Sequence, residues 1–163
     1  MRRRGRRLSR KQATDFFGSE LPSDCIVLTA PGSSLVWTYR EKQMYPEALA
    51  ALERWKSGHP SERRHPYVLG TAAGIYGFEG RKNEAEKLID ELREMARHQY
   101  VSGASFAEAY VGLGQKDQAV TWLERAYEDH DQGMVFIAAY PGFDRLHSEP
   151  RFQALLRRMN FPQ

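Results

Sequence analysis

A single cysteine, Cys25, is present, so no internal disulfide can form and no thiolate cluster can hold a metal. Nothing in the sequence calls for an oxidising compartment, and a cytoplasmic location is the expectation. Long apolar runs are missing too. No stretch approaches the roughly 18 consecutive apolar residues that cross a bilayer, which excludes a membrane-spanning reading. A secretory leader needs an apolar run of roughly 7 to 15 residues after its basic start. The opening MRRRGRRLSRKQATDFFGSE passes from basic to polar without one, and CIVLTA at 25–30 is too short and too far along.

Recognisable catalytic patterns are also lacking. His59, His65, His98, His130 and His147 are scattered, with no HExxH or paired ligand spacing, so a metal site is not expected. Neither a Gly-rich phosphate loop followed by a lysine strand nor an HRD-like loop occurs, and no local sequence around Cys25 would activate it as a nucleophile. The expectation is a protein that is not an enzyme and needs no cofactor.

What is present is enough for one domain: 163 residues, 41% of them hydrophobic. Net charge is +3, but the first eleven residues hold seven Lys or Arg and no acid. The rest of the chain is acidic by four charges. Residues 1–31 mix Arg with Gly, Ser and Pro and end in the breaker-rich TAPGSS, so they read as a basic arm or linker. Arg2, Arg3, Arg4, Arg6 and Arg7 are candidate phosphate contacts, because clustered guanidiniums neutralise phosphates without reading sequence; a solvated tail is the plainer reading.

The middle of the chain repeats itself. Tyr39, Tyr76 and Tyr110 recur at steps of 37 and 34 residues, and Ala48, Ala85 and Ala119 and then Leu52, Ile89 and Leu123 recur in the same register. Such a period, with two helical patterns per unit, signals stacked helical hairpins. The first hairpin is read as SLVWTYREKQ and PEALAALERWK, with Pro46 in a first turn; Gly80 and Gly114 divide the second and third. Asn83 and Asp117 are candidate caps for the second helix of each of those hairpins. From Gln132 the pattern changes: MVFIAAY reads as a short buried helix. A last helix follows, capped by Ser148, with Pro150 in its first turn and an apolar stripe of Phe152, Leu155, Leu156 and Met159. These elements are expected to close the open end of the stack.

Residues 32–131 resemble tetratricopeptide repeats. Within each unit the eleventh position is aromatic (Tyr39, Tyr76, Tyr110) and the twentieth is alanine. The eighth is small in two of three units (Ala73, Ala107), and the fifteenth is glycine in two of three (Gly80, Gly114). Val36, Gln43, Trp55 and Leu92 depart from the pattern. The tail AYPGFDRLHSEPRFQALLRRMNFP resembles the sequence closing the repeat array of certain bacterial signalling proteins that carry a kinase or a winged-helix domain, neither of which occurs here. The resemblance implies an all-α, right-handed superhelical stack of antiparallel hairpins over 32–131, with C-terminal capping helices over 132–163.

It also implies a concave groove on the first helix of each hairpin that holds a peptide or helix of another protein. Its positions here are Trp37, Arg40 and Glu41, then Tyr67, Gly70, Gly74, Gly77 and Phe78, then Val101, Ala104, Glu108 and Val111. Independently of that likeness, Gly70, Gly74 and Gly77 follow i, i+4, i+7 and form one stripe. Three glycines inside a helix cost roughly 3 kcal/mol relative to alanine, so something compensates. Either a partner backbone approaches there or the stripe packs against a neighbouring helix of the same chain. Two functions follow as expectations: a non-catalytic protein-interaction scaffold, or a nucleic-acid-associated regulator that uses the basic arm.

Overall fold

Helices form where apolar residues recur at three- and four-residue spacing, and all but the one ending at Ala96 stop where a glycine or a left-handed residue ends the pattern. The computed structural model describes residues 31–138 and 140–160, so the arm with its five candidate arginines and CIVLTA lie outside the described residues. The helices are α1 (Pro31–Glu41), α2 (Tyr45–Gly58), α3 (Pro66–Phe78), α4 (Lys82–Ala96), α5 (Gly103–Gly112), α6 (Lys116–Glu128) and α7 (Pro150–Arg158). Short 3-10 turns occupy Pro60–Glu62, Gln132–Phe136 and Pro141–Leu146. No strand occurs among the described residues. The chain is all-α there, and α1–α2, α3–α4 and α5–α6 pack as successive hairpins.

The three hairpin turns are closed by the same hydrogen bonds. After α3, the Arg81 N–H donates to the Tyr76 carbonyl at 2.9 Å and Gly80 N–H to Gly77 at 3.0 Å, with Gly80 at φ +84°. After α5, Gln115 donates to Tyr110 at 2.9 Å and Gly114 to Val111 at 3.0 Å, with Gly114 at φ +73°. After α1, Met44 donates to Tyr39 at 2.9 Å and Gln43 to Arg40 at 2.8 Å, with Gln43 at φ +59°. This pair of bonds satisfies the last carbonyls of a helix and requires one left-handed residue, which glycine supplies without strain. Gln43 therefore makes the same turn as its two glycine counterparts, against its own preference. The seam behind the turns is equally regular: Ala48, Ala85 and Ala119 are fully buried, and Leu52, Ile89 and Leu123 nearly so.

Helix starts differ from expectation. The second helices of hairpins two and three begin two residues earlier than Asn83 and Asp117 predict. Arg81 and Gln115 are the caps and neither makes a side-chain bond, while Asp117 lies in the first turn. Glu149, not Ser148, precedes α7, although Pro150 opens that helix as predicted. Of MVFIAAY, residues 134–136 belong to the 3-10 turn Gln132–Phe136, which ends before Ile137.

Two apolar clusters share α3. Val68, Ala72 and Ile75 pack with Val36, Ala48, Leu52 and Trp55 from the first hairpin. Leu69 and Ala73 pack with α4, α5, α6, the C-terminal turns and α7, including Phe152, Leu155 and Leu156. A helix serving two cores is apolar all round, as PYVLGTAAGIYGF is.

The glycine stripe explains the most extensive helix contact in the structure, α3 against α5. A Cβ on Gly74 would lie 2.9 Å from the Glu108 carbonyl oxygen, and one on Gly77 would lie 2.5 Å from the Gly112 carbonyl carbon. A Cβ on Gly70 would collide with the Ser105 carbonyl, and one on Gly112 with the backbone of Gly74. The space beside the stripe is filled by α5. The expectation of a groove at Gly70, Gly74 and Gly77 is corrected accordingly: the partner backbone that approaches them belongs to the same chain.

Two stability series check this account by chemical unfolding. Gly74→Leu should lower stability by about 1 to 3 kcal/mol or more because α5 cannot yield. Gly58→Ala, where nothing lies within 4 Å, should be neutral or raise it slightly. Gln43→Gly should raise stability by roughly 1 kcal/mol through relief of left-handed strain, and Gly80→Ala or Gly114→Ala should lower it by a similar amount. An unchanged midpoint in Gln43→Gly would remove strain from that turn.

Candidate functional site

A charged residue inside an apolar helix must find partners, because an isolated buried carboxylate is prohibitively costly. Glu108 stands in the middle of GASFAEAYVG, and its side chain is 1% exposed. Its partners come from three other segments. Arg40 of α1 donates from Nη1 to Oε1 at 2.7 Å, Thr71 of α3 donates from Oγ1 to Oε2 at 3.1 Å, and the Tyr140 hydroxyl donates to Oε1 at 2.6 Å. Burial pushes the Glu108 carboxyl above its ordinary range, while the Arg40 charge and the bonds from Tyr140, Thr71 and Arg40 pull it back.

Tyr140 reaches this site because the chain folds back after α6. His130 ends that helix at φ +54°, Asp131 then accepts the Gly133 N–H at 2.8 Å, and the turn delivers Met134, Ile137, Tyr140 and Phe143 onto the core. The Tyr140 ring meets Trp37 edge-on at 5.1 Å and Tyr67 at 6.0 Å between centroids, and the Arg40 guanidinium lies 5.5 Å from its centre. These are residues expected to hold a partner. Here the chain's own C-terminal segment occupies that place, in the manner of a bound peptide.

The expected groove residues therefore separate. Arg40 and Glu108 are paired with each other and buried, and Val101 and Val111 are core residues, so none of the four offers a free surface. Trp37 is half-covered by Tyr140, Phe78 stacks on Tyr45 beneath Arg145, and Glu41 stays exposed. Tyr67 and Ala104 remain together, at the edge of an open space.

That space is a cavity of about 590 Å³ between the starts of α3 and α5 and the segment 129–140. His65, Tyr67, Ser102, Ser105, Asp131 and Tyr140 are among its walls, with Tyr100 also lining it, 63% exposed. Local chemistry fixes the polar ones. His65 caps α3 through the Tyr67 N–H at 3.3 Å, and Ser102 caps α5 through the Ala104 N–H at 3.2 Å while its hydroxyl donates to Asp131 at 2.6 Å. The Ser105 hydroxyl, on a residue with no exposed surface, is shielded from water and makes no hydrogen bond, and the Tyr67 hydroxyl is equally shielded, beside the hydroxyl of Tyr140. Among the described residues no cluster of metal-ligand type occurs, and no helix is long and apolar enough to cross a membrane.

Sequence reading missed Ser105, Ser102, Asp131, Thr71 and Tyr140. The signal for the last two was available: a lone Glu among apolar residues demands donors, and only the fold says which.

Alkali provides a test of the cluster. Burial, with Tyr140 and Glu108 nearby, pushes Tyr67 well above the ordinary tyrosine range, and burial with Glu108 does the same to Tyr140. Both rings keep their protons in the folded state after the unfolded chain would lose them, near pH 10. The stability they contribute is complete below about pH 10 and is lost as pH rises past it, by roughly 1.4 kcal/mol per pH unit for each. Tyr140→Phe should make that decline shallower, and should cost about 1 to 3 kcal/mol at neutral pH by removing a donor from Glu108. Denaturant unfolding between pH 7 and 11 measures both, and equal slopes in the two proteins would contradict the assignment.

No family model, no curated protein and no solved structure matches the chain.

Proposed function

We propose that the chain is a non-catalytic protein-interaction module of tetratricopeptide type, a right-handed stack of three hairpins with a C-terminal cap, which binds a peptide segment of another protein. The equivalent turns at Gln43, Gly80 and Gly114 and the equivalent alanine seam support the repeat reading. The bacterial signalling context rests on the likeness of the tail alone.

The observation that carries the binding reading is the cavity of about 590 Å³ at the starts of two first helices. Its volume is in the range that takes a small ligand or a few peptide residues, and it combines aromatic walls with a few fixed polar groups. It is what the chain's own C-terminal segment leaves of the expected groove. The nucleic-acid reading depends on Arg2, Arg3, Arg4, Arg6 and Arg7, which lie outside the described residues, and no observation within them favours it.

Selection from a phage-displayed peptide library on the full chain tests the proposal, with Gln132→Trp as the comparison. Gln132 is exposed at the cavity wall, so a large ring there should narrow the cavity without disturbing the core, and weaken selected peptides at least tenfold with an unchanged circular dichroism spectrum. A library that yields no binder, or binders indifferent to Gln132→Trp, would overturn it.

A further inference from the structure

The first helices of the three hairpins run in one direction, and the cavity lies at the end where they begin. Val36 and Trp37 meet Tyr67 and Val68 around one small space, Arg40 and Thr71 meet at Glu108, and Tyr45, which opens α2, stacks on Phe78 at the end of α3. These pairs advance together along both helices, so α1 and α3 are parallel. Gly70 faces Ser105 and Gly77 faces Gly112, so α5 is parallel to them. Pro31 stands more than a turn before Val36, at the level where α3 starts at Pro66. The chain that precedes Pro31 therefore emerges beside Pro66 and Tyr67, two residues of the cavity wall.

What emerges there is CIVLTA, residues 25–30, uncharged and with Ile26, Val27 and Leu28 in a row. Side chains of this kind favour any apolar surface within reach. Neighbouring helices pack about 8 to 10 Å apart and an extended chain advances roughly 3.3 to 3.6 Å per residue, so six residues cover about 20 Å, the distance from α1 across α3 to the start of α5. The surface within that distance is the cavity, where Pro66, Tyr67, Ala104, Ile137 and Tyr140 supply apolar walls. The C-terminal return offers no competing occupant, since its Met134, Ile137 and Phe143 already belong to the core. A tether this short gives the segment an effective concentration on the order of mM, which neither a second copy nor a free peptide matches at ordinary concentrations.

We propose that residues 25–30 dock in this cavity and hold it closed to other peptides until a partner displaces them. This rests on the reading of the cavity as a peptide site and names the regulation of that site. In an extended run alternate side chains share a side, so Ile26 and Leu28 enter together while Val27 faces away.

Fluorescence anisotropy tests the proposal with a labelled, end-blocked peptide of residues 24–31 carrying serine in place of Cys25. It is titrated with the full chain and with the full chain carrying Ile26→Ser and Leu28→Ser. The variant, its cavity vacated, should bind the probe about tenfold or more tightly than the unchanged chain, and should gain similarly for peptides selected from a library. Adding Gln132→Trp to the variant should remove that binding. Phe16→Ser with Phe17→Ser, in the same arm, should leave the affinity as it is. Equal affinity in the unchanged chain and the variant, no binding of the probe to either, or a gain in the Phe16 and Phe17 variant alone would overturn the docked segment. Light scattering identifies a second copy as the occupant: self-association of the unchanged chain that is lost in the Ile26 and Leu28 variant would overturn the intramolecular contact. If the proposal fails but library peptides still bind and are lost in Gln132→Trp, the binding-module reading stands without it; if no peptide of any class binds either chain, both fall.

Discussion

A carboxylate in the middle of an apolar helix sets the terms for this structure. Glu108 can be buried only where donors converge, and the donors are supplied from α1, α3 and the C-terminal return, one each. Removing one partner of such a buried pair typically costs 3 to 5 kcal/mol, because the other charge is left without compensation. The first hairpin has a separate apolar cluster and meets the rest mainly through α3, so the Arg40–Glu108 bond is also the polar tie across the two cores. Hydrophobic burial drives these segments together without regard to register; a hydrogen-bonded charge admits one register only.

The glycine stripe makes the convergence reachable. Thr71 and Glu108 lie on facing helices whose backbones touch at Gly70, Gly74, Gly77 and Gly112. A side chain at any of those positions would hold α3 and α5 further apart and lengthen the 3.1 Å bond between Thr71 and Glu108. The entropic cost of glycine within a helix is thus offset at the helix contact, through close packing and a buried polar bond.

Much of the fold was legible because it follows from local rules. Tyr39, Tyr76 and Tyr110 each supply the carbonyl that closes a hairpin turn, and the spacing of those turns is written directly in the sequence. Gln43 shows the limit: as a non-glycine residue it gives no sign of a left-handed conformation, which the two flanking helices impose on it. The groove was less legible. The positions expected to face a partner lie on first helices, except Val101, which precedes α5, but sequence periodicity tells which face of a helix is apolar, not what covers it. Gly74 is covered by α5 and Trp37 by Tyr140, and neither covering residue is within thirty positions of what it covers.

The return of the chain over Trp37, Arg40 and Tyr67 changes what a ligand would meet there. An empty groove would offer a long apolar surface to any amphipathic helix, with specificity spread along it. With Tyr140 and Phe143 in place, that surface is already covered, and what stays open is small, tyrosine-lined and bounded by His65 and Ser102 at two helix starts and by Asp129 and Asp131 after α6. A ligand bound there would be discriminated by polar matching, because a site that hydrogen-bonds a group rejects a ligand that lacks it far more strongly than an apolar pocket rejects a poor shape. The wall that does the matching is itself part of the fold: Ser102 caps α5 and holds Asp131, and Asp131 caps the turn that carries Tyr140 to Glu108. A ligand that engages Asp131 therefore bears on the same chain of bonds that fastens the C-terminal segment to the hairpins, and its binding energy adds to the stability of the folded state.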